Sequence, residues 1–278
     1  MSLDIIGHRG ARGFLPENTL EAIRYALDQG VAGIEIDVQI TKDGHVVAHH
    51  DPWVNQDTTV GPAELIGKPL HQLSLAQVKQ LNIGRLAPGT AYAKRFPNQR
   101  PLAHAAVPTL PEVLALVRDK AKLYIEVKTH TDYPELPQAD AVVPLILRDI
   151  KQAGMQDQCV LISFDWNALK LAAGLDTIYL VEVGVQFPRS ITEPSQMVLG
   201  MTYHQIHYCP ACAVKAQGGH WWGPDGTWLR DEDIRQAKQL GITTNVWTVN
   251  DVDQSQHLAD LGVESVTTDY PGVFYLEE

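Results

Sequence analysis

Two periods organise the hydrophobic positions of this chain: alternation in short runs, and helical spacing in longer ones. From residue 108 onward they take turns. Helical stripes over 111–120, 139–153, 167–173, 231–240 and 253–261 alternate with apolar runs at 123–128, 159–164, 178–182, 244–249 and 265–268. Gly154, Gly174, Gly241 and Gly262 follow four of the helical stripes, where a left-handed cap is expected. At the start of the chain, a buried run over 5–7 ends in His8-Arg9-Gly10. Asn18 or Thr19 then caps a helix whose stripe is Leu20, Ile23, Tyr25, Ala26 and Leu27, ending at Gly30. A second strand is expected over 33–37, and one more near 205–208 in the weakly patterned stretch 183–228. Eight strands alternating with helices predict a (β/α)8 TIM barrel of parallel strands, with 1–278 as a single domain.

The second strand continues into a hairpin. Alternation puts Glu35 and Asp37 on one face, with Ile34, Ile36, Val38 and Ile40 on the other. Thr41-Lys42-Asp43-Gly44 is a turn signal. An even-length turn centred on Asp43-Gly44 brings His50 to the face of the two acids and sends His49 to the other; a three-residue turn would reverse that choice. Residues 52–108 carry seven of the 17 prolines and little periodicity beyond a helix over 74–81 capped by Ser74. The stretch 52–107 reads as a loop-rich insertion over one end of the domain.

Composition narrows the partners. A net charge of −11 disfavours nucleic acid and anionic membrane surfaces, both of which need clustered Lys and Arg. No apolar run approaches the roughly 20 residues that span a bilayer, so stable membrane insertion is not expected. The N-terminus enters a strand without the apolar core of a signal peptide. This leans the expectation toward the cytoplasm, a periplasmic or secreted location requiring a leader removed beforehand. Three cysteines make no disulfide framework.

In such a barrel the carboxyl ends of the strands carry the chemistry. Polar residues collect there: His8 and Arg9, Glu35 and Asp37, Glu126 and Lys128, Ser163, Asn250 and Asp269. Three carboxylates on one rim repel each other unless a hard divalent cation, Mg²⁺ or Ca²⁺, joins them; zinc prefers His and Cys. His8 and His50 suit one base and one acid near neutral pH. Arg9 and Lys128 offer fixed charge to a phosphate oxygen. The residues together read as a metal-assisted phosphodiesterase.

These residues also form words. His8-Arg9-Gly10, Pro16-Glu17-Asn18-Thr19, Glu35-Ile36-Asp37, Thr41 to Gly44 and His50-Asp51 are followed by Pro108-Thr109-Leu110 and Ile125 to Lys128. Ser163-Phe164, Val246 to Asn250 and Thr268 to Pro271 complete the series. In this order the chain resembles the glycerophosphodiester phosphodiesterase family, of the phosphatidylinositol-specific phospholipase C-like barrels. The resemblance covers nearly the whole chain, with 52–107 at the position of the family's insertion. It implies a divalent cation and hydrolysis of a small glycerophosphodiester to sn-glycerol 3-phosphate and an alcohol. It also implies Glu35, Asp37 and Glu126 as metal ligands and His8 and His50 as the acid–base pair. Arg9 and Lys128 would hold phosphate, and Phe164 and Trp247 line the pocket. Two other activities suit the same barrel: a cyclising lyase of the phospholipase C kind, and a lysophospholipase D.

One stretch departs from the pattern. Cys209-Pro210-Ala211-Cys212 lies near His204, His207, His220 and Trp221-Trp222. Without a second pair, a C-x-x-C reads first as structural, then as a disulfide, and last as a metal site. The two tryptophans are expected to wall the pocket or pack on the insertion.

Overall fold

The computed structural model describes residues 3–129, 133–172, 174–181, 197–198, 201–202 and 209–275. Eight parallel strands close into a barrel: β1 (Asp4–Gly7), β2 (Gly33–Ile40), β4 (Lys122–Val127), β5 (Cys159–Ser163), β6 (Asp176–Val181), β9 (Trp221–Pro224), β10 (Thr243–Val246) and β11 (Ser265–Thr268). Closure is made by β1, which pairs with both β2 and β11. β3 (Val46–Ala48) lies antiparallel on β2, and Met197–Val198 (β7) pairs with Met201–Thr202 (β8) apart from the barrel.

Helices cover the outside: α1 (Leu20–Asp28), α4 (Leu110–Val117), α5 (Ala139–Ala153), α6 (Trp166–Lys170), α7 (Pro210–Ala216), α8 (Asp231–Gln239) and α9 (Val252–Leu261). Ile34, Ile36, Val38, Ile125 and Leu161 point outward into the layer they share with the helices. The alternate residues Ile6, Tyr124, Val160, Ile162, Ile178 and Leu180 form a separate cluster inside the barrel. The pleat therefore sends Glu35, Asp37 and Glu126 into the barrel as well, and Asp37 pairs directly with Glu126 across β2 and β4.

One barrel strand lies elsewhere than expected. The expected strand near 205–208 falls outside the described residues, and the place between β6 and β10 belongs to Trp221–Pro224. Its tryptophans do not wall the pocket. Trp222 is fully buried in the helix-facing core, and Trp221 packs on the interior cluster.

The hairpin corrects a second expectation. Val38 pairs with Ala48, Gln39 with Val47 and Ile40 with Val46, so five residues, 41–45, form the turn. Thr41 causes this: its N–H donates to the His45 carbonyl at 2.9 Å, and its Oγ1 accepts from the His45 N–H at 3.0 Å. An odd turn reverses the parity, and the His49 N–H reaches the Asp37 carbonyl at 3.0 Å. β3 ends at Ala48, however, and the chain leaves the pleat before His50. The position of His50 comes from that departure and not from turn length.

Residues 52–107, between β3 and α4, hold a separate core in which Val54, Leu65, Leu70, Leu73, Val78 and Leu81 pack with Val47 of the hairpin. Its helices are α2 (Leu75–Val78), shorter than the expected 74–81 but capped by Ser74 as expected, and α3 (Ala91–Arg95), capped by Thr90. No helix of the described residues is long and apolar enough to cross a membrane.

The turn after β1 is packed against α1 without space for a side chain. A Cβ on Gly10, whose φ is +83°, would meet Ala22 C and Ile23 N at 2.7 Å. Gly10→Ala should destabilise the fold by on the order of 2 kcal/mol or more, measured as a lowered urea midpoint at unchanged m-value. An unchanged midpoint would show that the turn relaxes away from α1.

Candidate active site

A cavity of about 250 Å³ opens at the carboxyl ends of the strands. His8, Arg9, Glu35, His50, Glu126, Lys128, Phe164 and Trp247 all line it. Of the expected metal ligands, acid–base pair, phosphate-holding and pocket residues, Asp37 alone is not part of the lining; it is 0% exposed and sits beneath. His49 instead faces a small side pocket with Glu17 and Asn18.

Ligand atoms of Glu35, Asp37 and Glu126 lie within 4.8 Å of one another, all buried. The Lys128 ammonium is 2.6 Å from Glu126 Oε1 and 3.1 Å from Asp37 Oδ1. Arg9 places Nε 2.9 Å from Asp37 Oδ2, donates from Nη1 to Glu17 at 3.0 Å, and donates its backbone N–H to Glu35 Oε2 at 2.9 Å. Asn18 Nδ2 donates to Asp37 Oδ2 at 3.0 Å. Glu35 Oε1 stays buried with no hydrogen-bond partner.

The charges do not balance within this group. Four carboxylates (Glu17, Glu35, Asp37, Glu126) share two cations (Arg9, Lys128), an excess of two negative charges. The titrations follow. Burial, then Asp37 and Glu126, push Glu35 well above the ordinary carboxylate range. Burial pushes Asp37 upward too, but Arg9 and Lys128 outweigh it and hold that carboxyl well below the usual range. A divalent cation fits here by charge, by its all-oxygen donor set and by the orphaned Glu35 oxygen.

Each histidine facing the cavity is anchored by its own carboxylate. His8 Nδ1 lies 2.7 Å from Asp269 Oδ1, and His50 Nδ1 lies 2.7 Å from Asp51 Oδ1. Both rings are thereby fixed with Nδ1 as donor and Nε2 left for other work. Asp269, 0% exposed, also accepts from Arg12 Nε at 2.8 Å, Arg12 Nη2 at 3.2 Å and Asn250 Nδ2 at 2.9 Å. Burial, followed by Arg12, pushes the His8 imidazole down to about 3, so it is neutral at physiological pH. Asp51 is raised by burial but held far below the ordinary range by His50 and Asn55, so it stays ionised beside the half-exposed His50 ring.

On the opposite wall, Phe164 and Trp247 meet edge to face at 5.5 Å, and Trp247 Nε1 donates to the Gly223 carbonyl at 2.8 Å. The Lys128 ammonium is 6.0 Å from the Phe164 ring centre. This makes one wall apolar and the facing wall charged.

The residues not singled out beforehand are mainly partners. Asp269 and Asp51 appear in the sequence only as a polar strand end and the neighbour of His50, yet each orients an imidazole. Arg12 and Arg95 carried no signal. The C-x-x-C forms a disulfide, Cys209–Cys212, at the start of α7, which leaves no thiolate pair there for a metal.

His49 separates packing from chemistry. It is buried with Nδ1 2.8 Å from the Asp51 carbonyl, away from the cavity. His49→Ala should cost stability, on the order of 1–3 kcal/mol for leaving a buried polar group unpaired, with turnover at the permissive temperature within a few-fold of wild type. A turnover loss equal to that of His50→Ala would contradict this geometry.

A closed (β/α)8 barrel whose catalytic face joins an acidic cluster to two carboxylate-anchored imidazoles is the architecture of a barrel phosphodiesterase. Comparison with known proteins is more particular. The glycerophosphoryl diester phosphodiesterase family model matches residues 8–273, and the chain belongs to that family. It is 28% identical over 273 residues to a glycerophosphodiester phosphodiesterase of Caldanaerobacter subterraneus subsp. tengcongensis, covering 96% of this chain and 94% of the relative. A Bacillus subtilis glycerophosphodiester phosphodiesterase is also 28% identical, with 97% of this chain and 84% of the relative covered. Among solved structures, one from Silicibacter pomeroyi DSS-3 assigned to the same activity superposes with a TM-score of 0.83 at 30% identity, covering 97% and 90% of the two chains. An Oleispira antarctica phosphodiesterase, solved with its product sn-glycerol-3-phosphate, shares the fold at a TM-score of 0.74 and 22% identity, covering 98% and 94%.

Proposed function

We propose that this cavity hydrolyses small glycerophosphodiesters to sn-glycerol 3-phosphate and an alcohol, with His8 as general base and His50 as general acid. The observation that carries the reading is the pair of imidazoles, each held at Nδ1 by a carboxylate, on the same cavity as the acidic cluster. Glu35, Asp37 and Glu126 would hold one divalent cation, Mg²⁺ or Ca²⁺. When bound, such an ion polarises a phosphoryl oxygen and neutralises charge that builds up at phosphorus.

The protein's own groups account for the proton transfers. His8, held at Nδ1 by Asp269, presents Nε2 to take a proton from the attacking water, whose oxygen bonds to phosphorus as the bond to the head-group oxygen breaks. Asp51 holds the His50 ring at Nδ1 with Nε2 turned to other work, and Nε2 gives its proton to the departing alkoxide. Lys128, fixed between Glu126 and Asp37, sets positive charge beside the reacting phosphate. Arg9 is committed to Glu17 and Asp37, and its work is to hold the acidic cluster together as much as to meet substrate.

The test is a substrate panel read by coupled oxidation of released choline, which both substrates give up when the bond between phosphorus and the head-group oxygen breaks. Glycerophosphocholine should turn over with Mg²⁺ or Ca²⁺, and its acylated form should be a poor substrate. Preference for the acylated form would favour a lysophospholipase D instead.

A further inference from the structure

The cavity is lined by four cations, and three of them are already matched. Arg9 is paired with Asp37 and Glu17, Arg12 holds Asp269 through two donors, and Lys128 holds Glu126 and Asp37. The fourth is Arg95, at the end of α3 in the insertion. Among the described residues it has no carboxylate partner, and the residue is exposed where it lines the cavity.

The position of Arg95 is built into the fold. Phe96 beside it is buried and packs under two guanidinium groups, with Arg12 4.9 Å and Arg95 5.4 Å from its ring centre. Gln99 Nε2 donates to the Arg12 carbonyl at 2.7 Å, and the Arg100 N–H donates to the Phe14 carbonyl at 2.9 Å. These contacts dock 95–100 onto the loop that follows β1, the loop that also carries Arg12 to Asp269. Arg95 is thus delivered to the rim by a packed ring and two backbone-directed hydrogen bonds.

Stacked on Phe96 but without an acidic partner, the Arg95 guanidinium is open to an anionic group of the substrate other than the phosphate, which has Lys128 and the two imidazoles on the same cavity. We infer that Arg95 binds a carboxylate on the head-group alcohol and makes the site selective for acid-bearing head groups. This rests on the diesterase reading. The planar guanidinium fork matches a carboxylate through two parallel hydrogen bonds, which a lysine in its place would not reproduce.

Glycerophosphoserine and glycerophosphoethanolamine differ by one carboxylate, so they isolate the contact. Wild-type kcat/KM should favour the serine diester by about tenfold, the scale of one charged hydrogen-bonded pair at a partly solvated site. Arg95→Ala should erase that preference through KM while leaving the ethanolamine diester within about twofold, and Arg95→Glu should invert it. Equal losses on both diesters would assign Arg95 to the shared phosphate, and no loss would remove it from recognition; either result overturns the proposal. Calorimetric binding of both diesters to His8→Ala, with and without Arg95→Ala, reads the same preference without turnover. Wild-type protein that cleaves neither diester would sink the diesterase reading, while the binding difference would still decide the role of Arg95.

Discussion

His8→Ala and His50→Ala should each lower kcat by on the order of 10²–10⁴-fold, the range for losing a positioned general acid or base. The two rings have equivalent supports, Asp269 at 2.7 Å and Asp51 at 2.7 Å, and both face one cavity. They are not equivalent electrostatically. His8 is buried beside Arg12, whereas His50 is half-exposed beside Asp51, and these are the settings of the proposed base and the proposed acid. As base and acid of the one proposed displacement, they should show a double variant that loses far less than the product of the single losses. Steady-state kinetics of the three variants checks this. Losses that multiply would place the rings in separate steps.

Glu35→Gln should lower turnover by roughly 10³-fold, several kcal/mol of the barrier, through loss of the cation's third carboxylate, and chelation of wild-type protein should do the same. The same substitution should stabilise the metal-free protein. Glu35 is an ionisable group raised by burial and by Asp37 and Glu126, with one oxygen unpartnered. Its folded-state value lies above that of the unfolded chain, so ionising it penalises the folded state. That penalty is absent below about pH 4.3 and grows as pH rises through the folded-state value. The Tm advantage of Glu35→Gln without metal should therefore widen from pH 4 toward pH 7 and shrink or reverse when Mg²⁺ or Ca²⁺ is added. A variant less stable than wild type in EDTA at pH 7 would show that Arg9 and Lys128 already balance the cluster.

Much of this site is legible in the chain because its residues follow the pleat. Glu35 and Asp37 share one face of a strand whose other face is entirely apolar, and Glu126 in β4 with Lys128 just past its end repeats the spacing. Alternation alone brings them to the barrel interior. The hairpin resisted the same logic because a side chain, Thr41, closes a five-residue turn, and turn parity depends on that hydrogen bond rather than on the Asp-Gly pair. The sixth barrel strand was obscured by its composition: Trp221-Trp222-Gly223-Pro224 reads as a bulky pair followed by a turn, and only its neighbours β6 and β10 make it a strand.

The partners of the histidines were hidden for a different reason. Asp269 meets His8 across 261 positions of sequence, a contact produced by barrel closure between β1 and β11. Arg95 lies in a stretch with no period, and docking by Phe96 brings it to the rim.

Cleavage of a glycerophosphodiester on the head-group side of phosphorus, by two histidines with a divalent cation, is tested most directly by ³¹P NMR of glycerophosphocholine incubated with the enzyme and Mg²⁺ or Ca²⁺. The diester resonance should give way to that of sn-glycerol 3-phosphate, and should persist with His8→Ala or in EDTA. Accumulation of a cyclic phosphate would mean a lyase, release of phosphocholine would mean cleavage at the other ester bond, and turnover that survives EDTA would contradict the metal site.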